Sequence, residues 1–153
     1  MLDKMIKTDA EWKEQLSPEA YQVTRKAGTE RAFTSPLNNN KTEGVYNCVC
    51  CGVELFTSET KFDSGTGWPS FYAPSKPENI ENKKDFSHFM IRTETICSVC
   101  DAHLGHVFND GPRPTGKRYC MNGVALSFET ADVNGDGQVE GQSGGKSPAE
   151  AAS

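Results

Sequence analysis

The chain has 153 residues, of which 35% are hydrophobic and 24% are charged, with a formal net charge of −5. Its length suits one compact domain with terminal extensions. An acidic chain without a long basic run is unlike a general nucleic-acid binder, and no apolar run approaches the ~18 residues that cross a bilayer. Residues 1–14 also lack the apolar stretch of a secretory signal. We therefore expect a cytoplasmic protein that binds neither nucleic acid nor membrane. We also expect a monomer, although composition and charge do not determine the oligomeric state.

Residues 1–30 have the pattern of a short helical arm. Thr8 precedes Glu11 by three positions, which is the spacing of a capping box. Ser17 followed by Pro18 predicts the start of a second helix, because proline suits the first helical position. The apolar stripe of the arm is expected to consist of Trp12, Leu16, Tyr21 and Val23.

Residues 31–130 are expected to form the main domain. Three runs rich in β-branched and aromatic residues are bounded by Gly, Asn or Pro, as strands are. These runs are residues 45–56, 85–97 and 119–128. Residues 74–85 and 109–118 are rich in Pro, Gly and charge, and predict loops. Because no long helices alternate with the strands, we expect a mainly β, antiparallel domain after the helical arm.

Residues 131–153 predict a disordered tail, because they contain almost no large apolar side chains. Asp132, Asn134 and Asp136 have the offsets of the first half of a calcium-binding EF-hand loop. The twelfth position of that loop would be Ser143, where calcium needs a bidentate carboxylate. We therefore favour a polar tail over a calcium site.

Four of the six cysteines form two Cys-x-x-Cys units, Cys48 with Cys51 and Cys97 with Cys100. In a secreted chain an even count would suggest disulfides, whereas in a reducing compartment this clustering indicates metal binding or thiol chemistry. Together the units supply the tetrahedral set of thiolates that structural zinc prefers. We predict a structural Zn²⁺ rather than free cysteines or a redox dithiol. Cys50 is left over, either as a small residue in the turn or as a second redox thiol.

Cys120 lies outside both units and has two interpretations. A lone cysteine is often a small buried hydrophobe. Lys117 and Arg118 precede this one, however, and cationic neighbours lower the pKa of a thiol and favour the nucleophilic thiolate. His103 and His106 have the spacing of metal ligands, but four thiolates are already present. A proton donor and a polar clamp are the better interpretation of the two imidazoles.

Trp68 lies among glycine and proline residues that predict a turn. Its indole either packs in the core or forms the wall of a pocket.

Several motifs can now be taken together: the paired Cys-x-x-Cys units and residues 65–71, 103–112 and 118–128. In these motifs and their order, the chain closely resembles the peptide-methionine (R)-S-oxide reductases over residues 8–130. The resemblance implies a zinc-bearing antiparallel β barrel-like domain preceded by short helices. It also implies thiol-dependent reduction of methionine-R-sulfoxide, peptide-bound or free, with oxidised proteins as substrates.

The resemblance further implies roles for individual residues. Cys120 matches the nucleophile, which attacks the sulfoxide sulfur, releases methionine and becomes a sulfenic acid. Trp68 matches the indole that packs against the substrate's methyl group, and Phe108 is expected to complete this apolar wall. The resemblance leaves the proton donor open among His103, His106 and Asp110. The polar shell around the sulfoxide oxygen and the nucleophile comprises His103, His106, Asp110, Arg118 and Asn122.

One position departs from the family pattern. Thr66 stands where many members carry a second, resolving cysteine, and no cysteine precedes Cys48. This predicts a one-cysteine enzyme whose Cys120 is recycled by an external thiol, such as thioredoxin, glutaredoxin or a small thiol. The alternatives are a non-catalytic zinc-ribbon binding module and a hydrolytic zinc enzyme. The hydrolytic enzyme would need an open metal position, which four cysteines would fill.

Overall fold

The computed structural model describes residues 4–86 and 89–131. Within these ranges the chain forms two helices, α1 (Asp9–Gln15) and α2 (Pro18–Arg25). The strands are β1 (Gly44–Cys48), β2 (Glu54–Thr57), β3 (Lys61–Phe62), β4 (Ser70–Phe71), β5 (Ile80–Asp85), β6 (Arg92–Cys97), β7 (His103–Phe108), β8 (Arg118–Met121) and β9 (Leu126–Thr130). The predicted disordered tail and its calcium-like motif fall outside the described residues, apart from Ala131. None of the described helices is long and apolar enough to span a membrane.

Both helices begin at the predicted capping residues. The Thr8 hydroxyl accepts a hydrogen bond from the backbone N–H of Glu11, whose carboxylate in turn accepts from the N–H of Thr8. The Ser17 hydroxyl accepts from the N–H of Ala20, and Pro18 starts the second helix. These side chains pair backbone donors that have no partner within the helix. The predicted apolar stripe is buried at all four positions, Trp12, Leu16, Tyr21 and Val23.

The strands form two sheets, which confirms the mainly β, antiparallel fold. The smaller sheet has the order β2-β1-β9 and the larger one β3-β4-β8-β7-β6-β5. Aromatic rings join the sheets, since Phe56 of β2 stacks on Phe71 of β4 with ring centroids 4.3 Å apart. Tyr46 of β1 meets the same Phe71 edge-on at 5.0 Å. All three side chains are fully buried, so the core includes the contact between the two sheets.

Residues 80–85 form strand β5, so the loop predicted over residues 74–85 is wrong in its second half. This strand pairs with β6 from Ile80 opposite Cys97 to Asp85 opposite Arg92, and it forms one edge of the larger sheet. Charged side chains on edge strands discourage pairing with other chains. Because β5 is mostly charged and polar, it has few of the apolar and β-branched residues from which a strand is predicted.

Strand β6 begins at Arg92, later than the run predicted over residues 85–97. The backbone of Phe89 has a φ of 58°. This left-handed conformation is incompatible with an extended strand, so the run predicted over residues 85–97 is not one continuous strand.

Candidate functional site

The two Cys-x-x-Cys units lie in turns at neighbouring strand ends. Cys48 ends β1 and Cys97 ends β6, and each turn is closed by a hydrogen bond to that residue's carbonyl, from Gly52 (2.8 Å) and Asp101 (2.9 Å) respectively. Gly52 has a φ of 87°, a left-handed conformation that glycine adopts without steric cost. Asp101 takes the corresponding left-handed conformation in the second turn, with a φ of 63°.

The four sulfur atoms of these units are arranged to hold a metal ion. All lie within 4.8 Å of one another, with Cys48 and Cys100 3.6 Å apart and Cys51 and Cys97 3.5 Å apart. A tetrahedral ion with zinc–sulfur distances of about 2.3 Å requires sulfur–sulfur distances of about 3.8 Å. The donor set and its spacing therefore fit the predicted ion.

The helical arm covers both turns, a feature that no sequence pattern indicated. The side-chain amide of Gln15 donates to the carbonyl of Cys50 at 2.7 Å. The guanidinium of Arg25 donates to the carbonyl of Cys100 at 2.9 Å. Cys50 itself is buried and is not one of the four clustered thiols. The arm and the cysteine turns are thus tied together by hydrogen bonds.

Cys120 lies in β8, near the middle of the larger sheet. Its register partners are Ser70 of β4 on one side and His106 of β7 on the other. A cavity of about 270 Å³ opens there. The predicted residues that line it are Trp68, His106, Phe108, Arg118, Cys120 and Asn122. Its other lining residues are Thr29, Thr66, Arg92 and Gly105.

The pKa of the Cys120 thiol is higher than its cationic neighbours in sequence led us to expect. Burial raises its pKa, and the Thr66 hydroxyl and the Arg118 guanidinium oppose this only in part. The Thr66 oxygen is 3.8 Å from the Cys120 sulfur. Lys117 donates instead to the amide oxygen of Asn109 at 2.7 Å. The expected lowering of the thiol pKa is therefore wrong for this structure, because desolvation outweighs the nearby positive charge.

Each predicted histidine is held by a carboxylate from the neighbouring strands. Nδ1 of His103 is 2.6 Å from Glu94, and Nε2 of His106 is 2.8 Å from Asp85. The imidazole rings meet edge-on at 5.4 Å. Burial lowers the pKa of His106, while the hydrogen bond to Asp85 acts in the opposite direction. Asp85 was missed because it lies in the stretch that was predicted to be a loop.

Arg118 is held between a carboxylate and an aromatic ring. Its Nε and Nη2 donate to the two carboxylate oxygens of Asp110 at 2.9 and 3.2 Å. Its guanidinium carbon lies 4.4 Å from the ring centroid of Phe108. The hydrogen bonds from Arg118 lower the pKa of Asp110. Asp110 is therefore ionised near neutral pH, and it orients a residue of the cavity wall from outside the cavity.

Glu30 is a buried carboxylate that sequence analysis missed. Its side chain accepts from the backbone N–H groups of Gly123 (2.8 Å) and Val124 (3.0 Å). Its own N–H donates to the side-chain oxygen of Asn122 at 2.9 Å, and its carbonyl accepts from the indole N–H of Trp68 at 3.0 Å. Glu30 thus connects two residues of the cavity wall. A single glutamate in an irregular segment carries no sequence signal for such a role.

Comparison with known proteins assigns the chain to a family. The model of the family described as the SelR domain matches residues 16–130. The chain belongs to the SelR family. Among its relatives is the peptide methionine sulfoxide reductase MsrB of Hahella chejuensis, 58% identical over 91% of this chain and 99% of the relative. The protein of the same name from Pseudomonas savastanoi pv. phaseolicola is 61% identical over 83% and 97%. The chloroplastic peptide methionine sulfoxide reductase B1 of Arabidopsis thaliana is 58% identical over 84% of this chain and 64% of its own length.

In this SelR chain the fold brings most of the predicted residues to one cavity. Of the eight residues predicted for catalysis and substrate binding, His103 and Asp110 are the two that do not line it. His103 is almost fully buried and lies against the ring of His106, whereas Asp110 is exposed and bound to Arg118. Each therefore contacts a residue of the cavity wall rather than the cavity itself.

Proposed function

We propose that this chain reduces methionine-R-sulfoxide to methionine with thiols as the source of electrons, acting on oxidised proteins and peptides and on the free amino acid. The observation that carries the proposal is the position of Cys120, a lone thiol in a cavity walled by an indole, an imidazole and a guanidinium. A thiol nucleophile requires room for the substrate beside the sulfur, and the cavity supplies it. The relatives named as methionine sulfoxide reductases support the same chemistry.

In the proposed step, the Cys120 sulfur attacks the sulfoxide sulfur, and the oxygen passes to the cysteine. The sulfur–oxygen bond of the substrate breaks and a sulfur–oxygen bond to Cys120 forms. Methionine sulfur gains two electrons and Cys120 loses two. The thiol proton ends on the oxygen of the resulting sulfenic acid, so that atoms and charge balance. The raised pKa of Cys120 suits this scheme, because the resting thiol brings the proton that the oxygen needs.

His106 is the best placed of the three candidate proton donors. It lines the cavity and lies opposite Cys120 in the register of β7 and β8. Asp110 is ionised, and His103 lies behind the cavity wall. The carboxylate of Asp85 can only accept, so Nε2 of a neutral His106 carries the proton and Nδ1 has the lone pair. His106 therefore passes the thiol proton to the sulfoxide oxygen.

The walls of the cavity divide between apolar and polar groups. Trp68 and Phe108 supply aromatic surface for the S-methyl group and the methionine side chain. Arg118 and Asn122 supply hydrogen-bond donors for the oxygen. The hydrogen bond from Trp68 to the Glu30 carbonyl holds the indole in place. Placing the methyl group and the oxygen on different walls selects one configuration at sulfur, since the other epimer would exchange the two groups.

We propose that an external thiol reduces the sulfenic acid directly. The hydroxyl of Thr66 lies 3.8 Å from the Cys120 sulfur, at the position where a resolving cysteine would stand. An incoming thiol would form a mixed disulfide with Cys120 and release water. A second thiol would then restore Cys120 and leave as part of the new disulfide. Thioredoxin, glutaredoxin and small thiols all supply this chemistry.

We propose that the metal ion is a structural zinc. Four thiolates complete a tetrahedral shell and leave no position for substrate or water, so the hydrolytic alternative loses its chemical basis. The ligands come from the β1–β2 turn of the smaller sheet and the β6–β7 turn of the larger one. Zinc would therefore link the two sheets. A non-catalytic zinc ribbon would explain these ligands but would not need the Cys120 cavity.

The test is turnover of each epimer of N-acetyl-methionine sulfoxide with dithiothreitol. We expect the R epimer alone to be reduced, and Cys120→Ser to lose this activity while keeping its zinc and its melting temperature. A sulfenic-acid trap applied after one equivalent of substrate should label Cys120. If a disulfide between Cys120 and any other cysteine of the chain appeared instead, direct recycling would be refuted. Absence of turnover in a folded, zinc-loaded sample would refute the proposed activity.

A further inference from the structure

An exposed apolar surface lies at the connection between β5 and β6, directly before Arg92 of the cavity wall in the sequence. Its described residues are Phe86, Phe89, Met90 and Ile91, which we call the apolar tip. Phe89 is fully exposed, and Phe86 and Ile91 are 67% and 72% exposed. Single exposed apolar side chains are ordinary in folded proteins, but a group of them indicates an interaction surface.

The backbone of the apolar tip supplies a second, independent observation. Phe89 has a φ of 58°, a left-handed conformation that is rare for a bulky residue. Its side chain is fully exposed, so burial of the ring does not compensate for this conformation. Backbone strain of this kind is concentrated at ligand-binding segments. The fold therefore holds an aromatic ring in water at this position without an evident structural benefit.

The apolar tip is joined to the wall of the cavity by the ends of β5 and β6. Arg92 and Asp85 form the last register pair of β5 and β6, immediately before the tip. Arg92 lines the cavity, and Asp85 holds His106 through a 2.8 Å hydrogen bond. A polypeptide that leaves the cavity over β6 therefore meets the apolar tip first.

The opposite side of the cavity has an exposed aromatic group as well. The N–H of Phe33 donates to the carbonyl of Gly67 at 2.7 Å, directly beside Trp68. The surface of Phe33 is 69% exposed. Trp68 leads into β4, and the strand order places β8 and β7 between β4 and β6. The distance from β4 to β6 is therefore three steps of about 4.8 Å, or about 14 Å in total. About four residues of an extended peptide span this distance.

We propose that the apolar tip, together with Phe33, binds apolar side chains that flank the sulfoxide in an extended, unfolded polypeptide. The proposal rests on the proposed function and names its substrate class. Cys120 is two strand steps from β6, about 10 Å, so the tip meets residues about three positions from the sulfoxide. Methionine is usually buried among apolar residues, and its oxidation disrupts that packing. Oxidised segments that become exposed therefore carry the side chains that this surface would bind.

The experiment compares substrates that do and do not reach the apolar tip, all with dithiothreitol. The substrates are seven-residue peptides with a central methionine-R-sulfoxide and either leucine or serine at both ends, and the N-acetylated, amidated single residue. The test variant combines Phe89→Asn with Ile91→Ser, because asparagine tolerates the left-handed backbone. Ile6→Ser is the matched control, since Ile6 is 87% exposed and belongs to the N-terminal segment near the cysteine turns.

We expect the wild type to prefer the leucine peptide over the serine peptide by about tenfold in kcat/KM, which corresponds to about 1.4 kcal/mol. The test variant should lose this preference and keep its activity on the single residue, whereas Ile6→Ser should change neither. Binding of the leucine peptide to Cys120→Ser, measured by fluorescence anisotropy, should weaken by the same factor when the two substitutions are added. This binding measurement does not depend on turnover.

Equal use of the two peptides by the wild type, or an unchanged preference in the test variant, would overturn the proposal. An unchanged preference with a raised KM for thioredoxin would assign the tip to the reductant instead. Loss of a dimer in the test variant would assign it to a second copy of the chain, and would also overturn the proposal. Failure of the wild type to reduce the single residue would refute the proposed function itself, which separates the two cases.

Discussion

Replacement of Cys97 by serine should unfold much of this protein. Cys97 is fully buried and belongs to the four clustered thiols. Two of the sulfur–sulfur separations, 3.5 and 3.6 Å, differ by only a few tenths of an ångström from the spacing of about 3.8 Å that tetrahedral zinc requires. Little rearrangement would therefore accompany binding. A structural zinc contributes on the order of 10 kcal/mol to folding, which is comparable with the whole stability of a domain, about 5–15 kcal/mol.

Loss of only a third of that contribution, about 3 kcal/mol, would lower the urea midpoint by about 1–3 M. We would measure zinc content by mass spectrometry and unfolding by circular dichroism. Cys50→Ser is the control, because Cys50 lies in the first cysteine turn but outside the cluster. We expect it to retain one zinc per chain. The assignment of the metal site would be refuted if Cys97→Ser kept both its zinc and the wild-type midpoint.

Four further predictions concern the cavity and the buried Glu30 beside it. Thr66→Cys should form a disulfide with Cys120 after one turnover, because the Thr66 oxygen is 3.8 Å from that sulfur; mass spectrometry of the non-reduced protein checks this, and free thiols at both positions would contradict it. Asp85→Asn should lower the pKa of His106 further, because the hydrogen bond to Asp85 raises it. The acidic limb of the kcat/KM profile should then move to lower pH, with an activity loss of about tenfold. An unmoved limb would exclude His106 as the titrating group. Glu30→Ala should reduce the free energy of unfolding by about 3 kcal/mol, because two buried N–H groups lose a charged acceptor; a loss under 1 kcal/mol would contradict this. Burial raises the pKa of Glu30 in the folded protein above its value in the unfolded chain. The stability that protonated Glu30 contributes is therefore complete below the unfolded pKa and is lost as the pH rises through the folded pKa. The stability of wild type relative to Glu30→Gln should accordingly fall over that pH interval in urea titrations, and a rise would refute the direction.

The cysteine spacing was sufficient to predict the metal cluster, because two thiols three positions apart meet within a single turn. The helix starts were equally predictable, since the capping side chains act on the N–H groups two or three positions ahead. The charged strand β5 was not predictable, because its pairing with β6 gives the strand its regular form and its side chains face water. The predicted cytoplasmic location, the monomeric state and the domain boundaries stay predictions.

Local chemistry in the sequence determined the cluster of thiols, the mainly β class and the motifs that include Cys120, Trp68 and His106. Only the tertiary structure decided how these groups act. It partly buried Cys120 and so raised the pKa of the thiol, placed His103 behind His106, and turned Asp110 outward to hold Arg118. It also placed Glu30 beside Asn122, 92 positions away along the chain. Desolvation and hydrogen bonding depend on which groups meet across strands, and that is set by the packing of the whole chain.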